Sequence, residues 1–282
     1  MLNNPKPRTS NNKPIPLFFW SERKFIFKDN ENYGDLLSKY LVEKIAGRPV
    51  KFVHPKKQPW YKLNKKNYLA VGSILHHATK ESIVWGSGII DRKQKVAQAD
   101  FRAVRGPRTR EYLLDLGYQC PAVYGDPALV LPRYFNPQVE KKYELGIIPH
   151  YHDYKEVSET YKNEAEILVI DLMTLDVEAV TRKILECKKT VSSSLHGLIV
   201  SHAYGIPSVW VEFSKKLFGD GVKFNDYLES VKLDVYEPQF LNEKKTVEEL
   251  ENLTERFVPL PDLKILEHLQ QNLLKSSPFH EL

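Results

Sequence analysis

"VSSSLHGLIVSHAYGIPSVWVEFS", residues 191 to 214, is the stretch that decides the fold. TVSSS (190–194) reads as a strand ending in hydroxyls, and HGLIVSHAYG (196–205) as a short apolar helix. PSVWVEF (207–213), β-branched and aromatic, is a strand again. Strand, helix and strand in so short a span make a crossover unit, which sets the two strands parallel. Ligands of open parallel sheets bind beyond the carboxyl ends of the strands. The three serines and His196 stand at such an end.

The same rhythm extends outward in both directions. Towards the N-terminus, IPLFFW (15–20) reads as a strand and GDLLSKYLVEKIAG (34–47) as a helix with Leu37, Leu41 and Ile45 on one face and Gly47 as its stop. VKFV (50–53), NYLAVGS (67–73), SIVWGSG (82–88) and FRAVR (101–105) follow as strands. PRTREYLLDLG (107–117) is a helix with proline at its start and glycine at its end. AVYG (122–125) is a short strand before Asp126-Pro127. In the second half, YELGIIPH (143–150) and EILVID (166–171) are strands, and DVEAVTRKILECKK (176–189) is a helix capped by Asp176. A capping box, Thr246 with Glu249, opens another helix, and DLKILEHLQQNLLK (262–275) is the last. Strand–helix alternation of this kind predicts an α/β fold of parallel sheets covered on both faces. Its two rounds predict two Rossmann-like domains facing a cleft: residues 15–135, and 136–282 with the terminal helices. The joint falls in LPRYFNPQVEKK (131–142), and residues 1–14, polar and proline-bearing, read as a disordered leader.

Composition narrows the class. The chain has 282 residues, 42% hydrophobic and 27% charged, with a formal net charge of +5. This is the balance of an ordinary globular protein whose surface tolerates an anionic substrate. Cys120 and Cys187 lie outside any CxxC spacing and read as buried thiols, which makes a reducing cytoplasm the expected compartment. No run is long and apolar enough to span a bilayer, so any membrane contact would be peripheral. His76-His77 lacks a supporting ligand at metal spacing, and neither a GxSxG elbow nor a Walker-type loop occurs. No metal is expected.

The residues at strand ends supply the candidate site. Gly86-Ser87-Gly88 follows an apolar strand and could bring backbone N–H groups to an anion, or simply close a turn. Arg105 ends the FRAVR strand beside a helix start, a good receptor for phosphate or carboxylate. Arg108 and Arg110 read as a solvated basic face. His150 ends one strand and His196 follows another, where an imidazole can exchange a proton with a bound group. His202 lies mid-helix and reads as structural. The apolar and basic KKLFGDGVKF (215–224) is a candidate surface contact or an ordinary loop.

Taken in order, these segments resemble the polysaccharide pyruvyl transferase family. The resemblance rests on NYGDLLSKYLVEKI (32–45), VGSIL (71–75), VWGSGI (84–89), FRAVRGPRTREYLLDLG (101–117), YGDPALVLP (124–132), IIPHYHD (147–153) and SSSLHGLIVSHAYGIPSVWVEFS (192–214). It implies a GT-B-like fold and transfer of the pyruvyl group of phosphoenolpyruvate onto two hydroxyls of one hexose, as a 4,6-ketal, with release of phosphate. Phosphoenolpyruvate is then a co-substrate and no cofactor is needed. The implied partner is a sugar acceptor of capsular or exopolysaccharide synthesis, carried on a polyprenyl diphosphate at the inner face of the cytoplasmic membrane; no nucleic acid is expected. Carried over residue by residue, Arg105, Ser193, Ser194, Leu195, Gly86 and Ser87 become donor-binding candidates. His196, His150 and Asp126 become catalytic candidates, and Asn32 and Asp35 acceptor-binding candidates. Many relatives carry arginine where this chain has Ser194. The competing expectations are a GT-B glycosyltransferase using a nucleotide sugar and a non-catalytic module that binds acidic glycans.

Overall fold

Apolar runs of three to six residues, each followed by a helix or turn, build two five-stranded parallel sheets. The computed structural model describes residues 13–215, 219–257 and 260–279. The expected leader lies outside these residues except for Lys13 and Pro14.

The chain runs β1 (Ile15–Phe18), α1 (Glu22–Phe25), β2 (Glu31–Asn32), α2 (Tyr33–Ala46), β3 (Val50–Phe52), β4 (Asn67–Leu69), β5 (Ser82–Trp85), β6 (Asp100–Ala103) and α3 (Pro107–Asp115). A 3₁₀ segment, Pro127–Arg133, leads to β7 (Tyr143–Ile148), α4 (Tyr154–Tyr161), β8 (Ile167–Val169), β9 (Met173–Thr174), α5 (Val177–Leu185), β10 (Cys187–Ser192), α6 (Leu195–Ala203) and β11 (Ser208–Glu212). α7 (Val222–Ser230), β12 (Gln239–Phe240), α8 (Val247–Arg256) and α9 (Leu263–Ser276) complete it. The first sheet has the order β3-β1-β4-β5-β6 and the second β12-β11-β10-β7-β8, with parallel pairing throughout. This is the mixed α/β, Rossmann-like layout that the alternation predicts.

Burial explains why the strands read as continuous apolar runs. Leu17, Phe18, Leu69, Val84, Leu145, Ile147, Ile148 and Val191 are all essentially inaccessible, because helices cover both faces. Each such side chain contributes about 1.5–3 kcal/mol relative to exposure. α6 is buried almost all round and packs against β10, β11, α2 and the Pro127–Arg133 segment. His202 there is satisfied on both nitrogens, by the Tyr227 hydroxyl at 2.9 Å and the Ser208 carbonyl at 3.0 Å.

Three features depart from the sequence reading. The helix expected over 176–189 ends at Leu185, since Cys187–Ser192 is used to pair with Tyr143–Ile148 in the sheet. AVYG forms only one bridge, Val104 to Tyr124, rather than a strand. A short antiparallel ribbon, Glu31-Asn32 against Met173-Thr174, was not legible at all. It ties the two halves together beside a Tyr33–Thr181 hydroxyl pair at 2.8 Å and a Tyr40–Glu178 bond of 2.7 Å. α9 also returns to the first half: the Trp85 indole donates to the Leu273 carbonyl at 2.8 Å, and Phe279 packs on Tyr68 and Trp85.

Candidate active site

A cleft of about 400 Å³ opens where the carboxyl ends of both sheets converge. Trp20, Asn32, Asp35, Ser73 and His76 line it from the first half of the chain. His150, Tyr151, Ser194, Leu195, His196 and Lys223 line it from the second.

Its floor is built where α2 and α6 begin. Asn32 caps α2, accepting from the Gly34 amide at 3.0 Å. That places glycine under the His196 ring: a Cβ on Gly34 would lie 2.0 Å from Nδ1 and 2.6 Å from Cγ. Nothing larger than hydrogen fits there. The other ring nitrogen, Nε2, faces Asp126 Oδ2 at 3.7 Å. Among the described residues, both atoms are buried without a hydrogen-bond partner. The distance exceeds a hydrogen bond, so the pair is a juxtaposition, and the close contact with Gly34 is what seats the ring. Asp126 itself is fixed through Oδ1, which accepts from the Ala128 amide at 2.9 Å.

Asp35 follows Gly34 in the first turn of α2 and lines the same cleft. Burial raises its carboxyl well above the usual carboxylate range, helped by the nearby Glu22 and Glu31 charges and opposed by Lys223. Lys223, in the first turn of α7, is the cation of the cleft. Burial and the Arg105 charge lower its ammonium to about 8, against the pull of Asp35 and Glu212. His150 is pushed down to about 3 by burial, with Lys223, His152 and Lys28 adding repulsion. It is therefore neutral at physiological pH, a hydrogen-bonding group rather than a source of charge.

The serines divide by role. Ser192 is buried and donates to the Ile148 and Ser194 carbonyls at 3.0 and 2.8 Å. The Ser193 hydroxyl accepts from the His150 amide at 2.8 Å and so fixes that residue. Ser194 sits at the start of α6 and makes no side-chain cap, leaving its hydroxyl and the helix N-terminus directed to the cleft beside Leu195.

Arg105 stands elsewhere than at the cleft surface. Its side chain is wholly buried, with Nε on Asp226 Oδ2 at 3.0 Å, Nη1 on the Ser73 hydroxyl at 2.6 Å and Nη2 on the Ile89 carbonyl at 2.7 Å. It reaches the cleft only through Ser73 and its charge. Gly86 and Ser87 are packed beneath: Gly86 has φ 86° with Pro127 against it, and Ser87 donates to the Ala70 carbonyl at 2.5 Å. Among the described residues, neither lines the cleft.

The rim carries a second buried carboxylate. Glu22 accepts from the Trp20 indole at 3.1 Å and the Tyr151 hydroxyl at 3.3 Å, and pairs with Lys28 at 3.3 Å. Trp20, Tyr151, Glu22 and Lys223 escaped the sequence reading. Lys223 had a signal: it follows Gly219-Asp220-Gly221, a turn that launches an amphipathic stretch. Residues 216–218 of the expected surface segment lie outside the described residues, and its end is the first turn of α7.

Over 209 residues the chain is 34% identical to "Uncharacterized protein L143" of Acanthamoeba polyphaga mimivirus, covering 72% of this chain and 71% of that protein. Residues 32–214, from the cap of α2 to just past β11, match the family described as "Polysaccharide pyruvyl transferase". That span contains Asn32, Gly34, Asp35, Asp126, His150 and the start of α6 with His196, and the chain belongs to the polysaccharide pyruvyl transferase family.

Proposed function

We propose that the cleft takes phosphoenolpyruvate as donor and two hydroxyls of one hexose as acceptor, and joins them as a cyclic pyruvate ketal with release of phosphate. Two GT-B-like lobes meeting near residue 135, with α9 attached to the first, provide the cleft. The reading is carried by the convergence of one cation, Lys223, one carboxyl raised above the usual carboxylate range, Asp35, and one seated imidazole, His196, at the start of α6.

The donor is a compact trianion, so its site needs a cation and oriented donors. Lys223 and the N–H groups that open α6, with the Ser194 hydroxyl, are suited to hold it. This supplies the positive charge that many relatives place at position 194. Arg105 acts behind them, through Ser73 and its field.

The chemistry then proceeds by protonation and capture. A proton goes to the vinyl C3 of the donor, which becomes the methyl group. The first hydroxyl bonds to C2 and loses its proton. The C2–O bond to phosphate breaks, the second hydroxyl bonds to C2, and its proton leaves with phosphate as hydrogen phosphate. Asp35 suits the acid role because burial raises its carboxyl well above the usual carboxylate range. His196, seated against Gly34 with Nε2 facing Asp126, takes the hydroxyl proton. His150 and Asn32 orient the sugar as neutral hydrogen-bonding groups. A positioned acid or base typically contributes ~10²–10⁴-fold.

Phosphate release from phosphoenolpyruvate, measured across a panel of galactosides with and without a lipid diphosphate, tests the reading. Folded His196→Ala and Asp35→Asn variants lose ~10²-fold or more of the wild-type rate. Wild-type rates in both, or stabilisation by a nucleoside diphosphate in place of phosphoenolpyruvate, would reject it in favour of a nucleotide-sugar glycosyltransferase.

A further inference from the structure

The loop between β3 and β4 exposes an apolar group that none of the described residues covers. Trp60 is 88%, Tyr61 70% and Leu63 fully exposed, and the two rings meet edge to face at 6.0 Å. The loop is nonetheless built. The Gln58 side chain donates to the Lys65 carbonyl at 2.7 Å, and its oxygen accepts from Lys62 Nζ at 2.6 Å. The Lys62 amide donates to the Pro59 carbonyl at 3.1 Å, closing a turn around Trp60 and Tyr61. Residues 56–66, KKQPWYKLNKK, carry five lysines and no acid.

A second exposed tip follows α1. Ile26 and Phe27 are 48% and 88% exposed, near Arg23, Lys24 and Lys28, with Glu31 alongside and Lys28 paired to Glu22. Phe27 has φ 59°, a backbone state that bulky residues rarely adopt, so the chain is bent to present it. The two segments pack at their bases: Lys57 Nζ lies 5.8 Å from the Phe25 ring and Lys24 Nζ 5.0 Å from the Phe52 ring. They also reach the cleft, which Ile26 lines, and Lys56 donates to the carbonyl of His76 on the cleft wall at 2.6 Å.

We propose that these two tips dock the protein on an anionic bilayer, with Trp60, Tyr61, Leu63 and Phe27 in the headgroup region and the lysines against lipid phosphates. Exposed aromatic and aliphatic tips within a basic collar match the amphipathic, charge-dependent chemistry of an interfacial anchor. Charge complementarity selects a negatively charged leaflet over a neutral one. The surface itself does not depend on the reaction assigned above; only its purpose does, which rests on that reading: it would bring the cleft mouth to an acceptor carried in lipid.

Sedimentation of the full chain with phosphatidylcholine vesicles, with and without phosphatidylglycerol, tests this without any substrate. Wild type sediments with the anionic vesicles, not the neutral ones, and 1 M salt releases it, because the Debye length falls to about 3 Å. Trp60→Ser/Tyr61→Ser/Leu63→Ser and Lys62→Glu/Lys65→Glu/Lys66→Glu each lower the bound fraction at least about tenfold. Both keep the wild-type melting temperature and the wild-type rate of phosphate release on a soluble acceptor. Absence of wild-type binding, wild-type binding by the serine variant, or retention on an oligonucleotide instead of vesicles would overturn the proposal. So would a self-associated wild type that the serine variant makes monomeric and that ignores vesicles. Loss of phosphate release with intact vesicle binding would count against the cleft chemistry alone.

Discussion

Gly34→Ala tests the floor of the cleft with a single methyl group. The added carbon would sit 2.0 Å from His196 Nδ1 and 2.6 Å from Cγ. Ordinary contact is about 3.5 Å, so the ring must withdraw by roughly 1.5 Å. Cγ is close to the backbone, so a small tilt of the ring tip does not relieve the clash. The ring must swing, and the 3.7 Å relation to Asp126 is lost. Overpacking costs about 1–3 kcal/mol, while alanine in place of glycine near the start of α2 returns up to about 1 kcal/mol. The variant therefore folds, with a loss of about 0–3 kcal/mol. A misplacement of 1 Å costs roughly 10²-fold in rate, so kcat/KM falls by at least about 10²-fold. Phosphate release, with a denaturant melt as control, reads both numbers. A folded Gly34→Ala with a rate within about twofold of wild type would refute the role given to the His196 seat.

Five further outcomes follow from the same geometry. Lys223→Met raises the dissociation constant for phosphoenolpyruvate roughly ten- to hundredfold, the worth of a hydrogen bond to a charged group, measured by calorimetry. In the wild type, donor affinity declines as pH rises through about 8, where the Lys223 ammonium loses its proton. Asp35→Asn raises the melting temperature at neutral pH while abolishing turnover. The raised carboxyl favours the fold when protonated and costs stability as pH climbs through its folded value, and the amide removes that cost. His150 and His77, both pushed down to about 3, are neutral in the fold but take up protons once unfolded. Stability therefore declines as pH drops from about 6.5 towards 3, as an acid titration of the melting temperature will show. Arg105→Met leaves the Asp226 carboxylate buried and unpaired, which costs about 3–5 kcal/mol. Its loss appears first in the melt; donor affinity falls less, through the lost Ser73 contact and the lost field.

The sheets were legible because their physics is local. Runs such as YELGII and SVWVE can only be buried strands when helices with capped starts separate them. Boundaries were less so: ECKK continues the helical pattern of α5, and only the register of Tyr143–Ile148 claims it for β10. In the site, His196, Ser194 and Asp35 were found because each stands where a strand gives way to a helix. The long-range pairings were hidden. Asp226 lies 121 residues from Arg105, and no spacing in FRAVR reveals that its guanidinium is taken up inside the fold. Lys223 was missed for the complementary reason: in KKLFGDGVKF it looks like surface charge, and only the path of α7 turns it inward.

The central claim is that the donor anion rests between Lys223 and the first turn of α6. A crystal structure of the protein with phosphoenolpyruvate measures this directly. The account predicts phosphate or carboxylate oxygens within about 3 Å of Lys223 Nζ and of the α6 amides, with the vinyl carbon turned towards Asp35. An anion bound at the half-buried Arg108–Arg110 face, or Lys223 and His196 turned away from a ligand in the cleft, would contradict it.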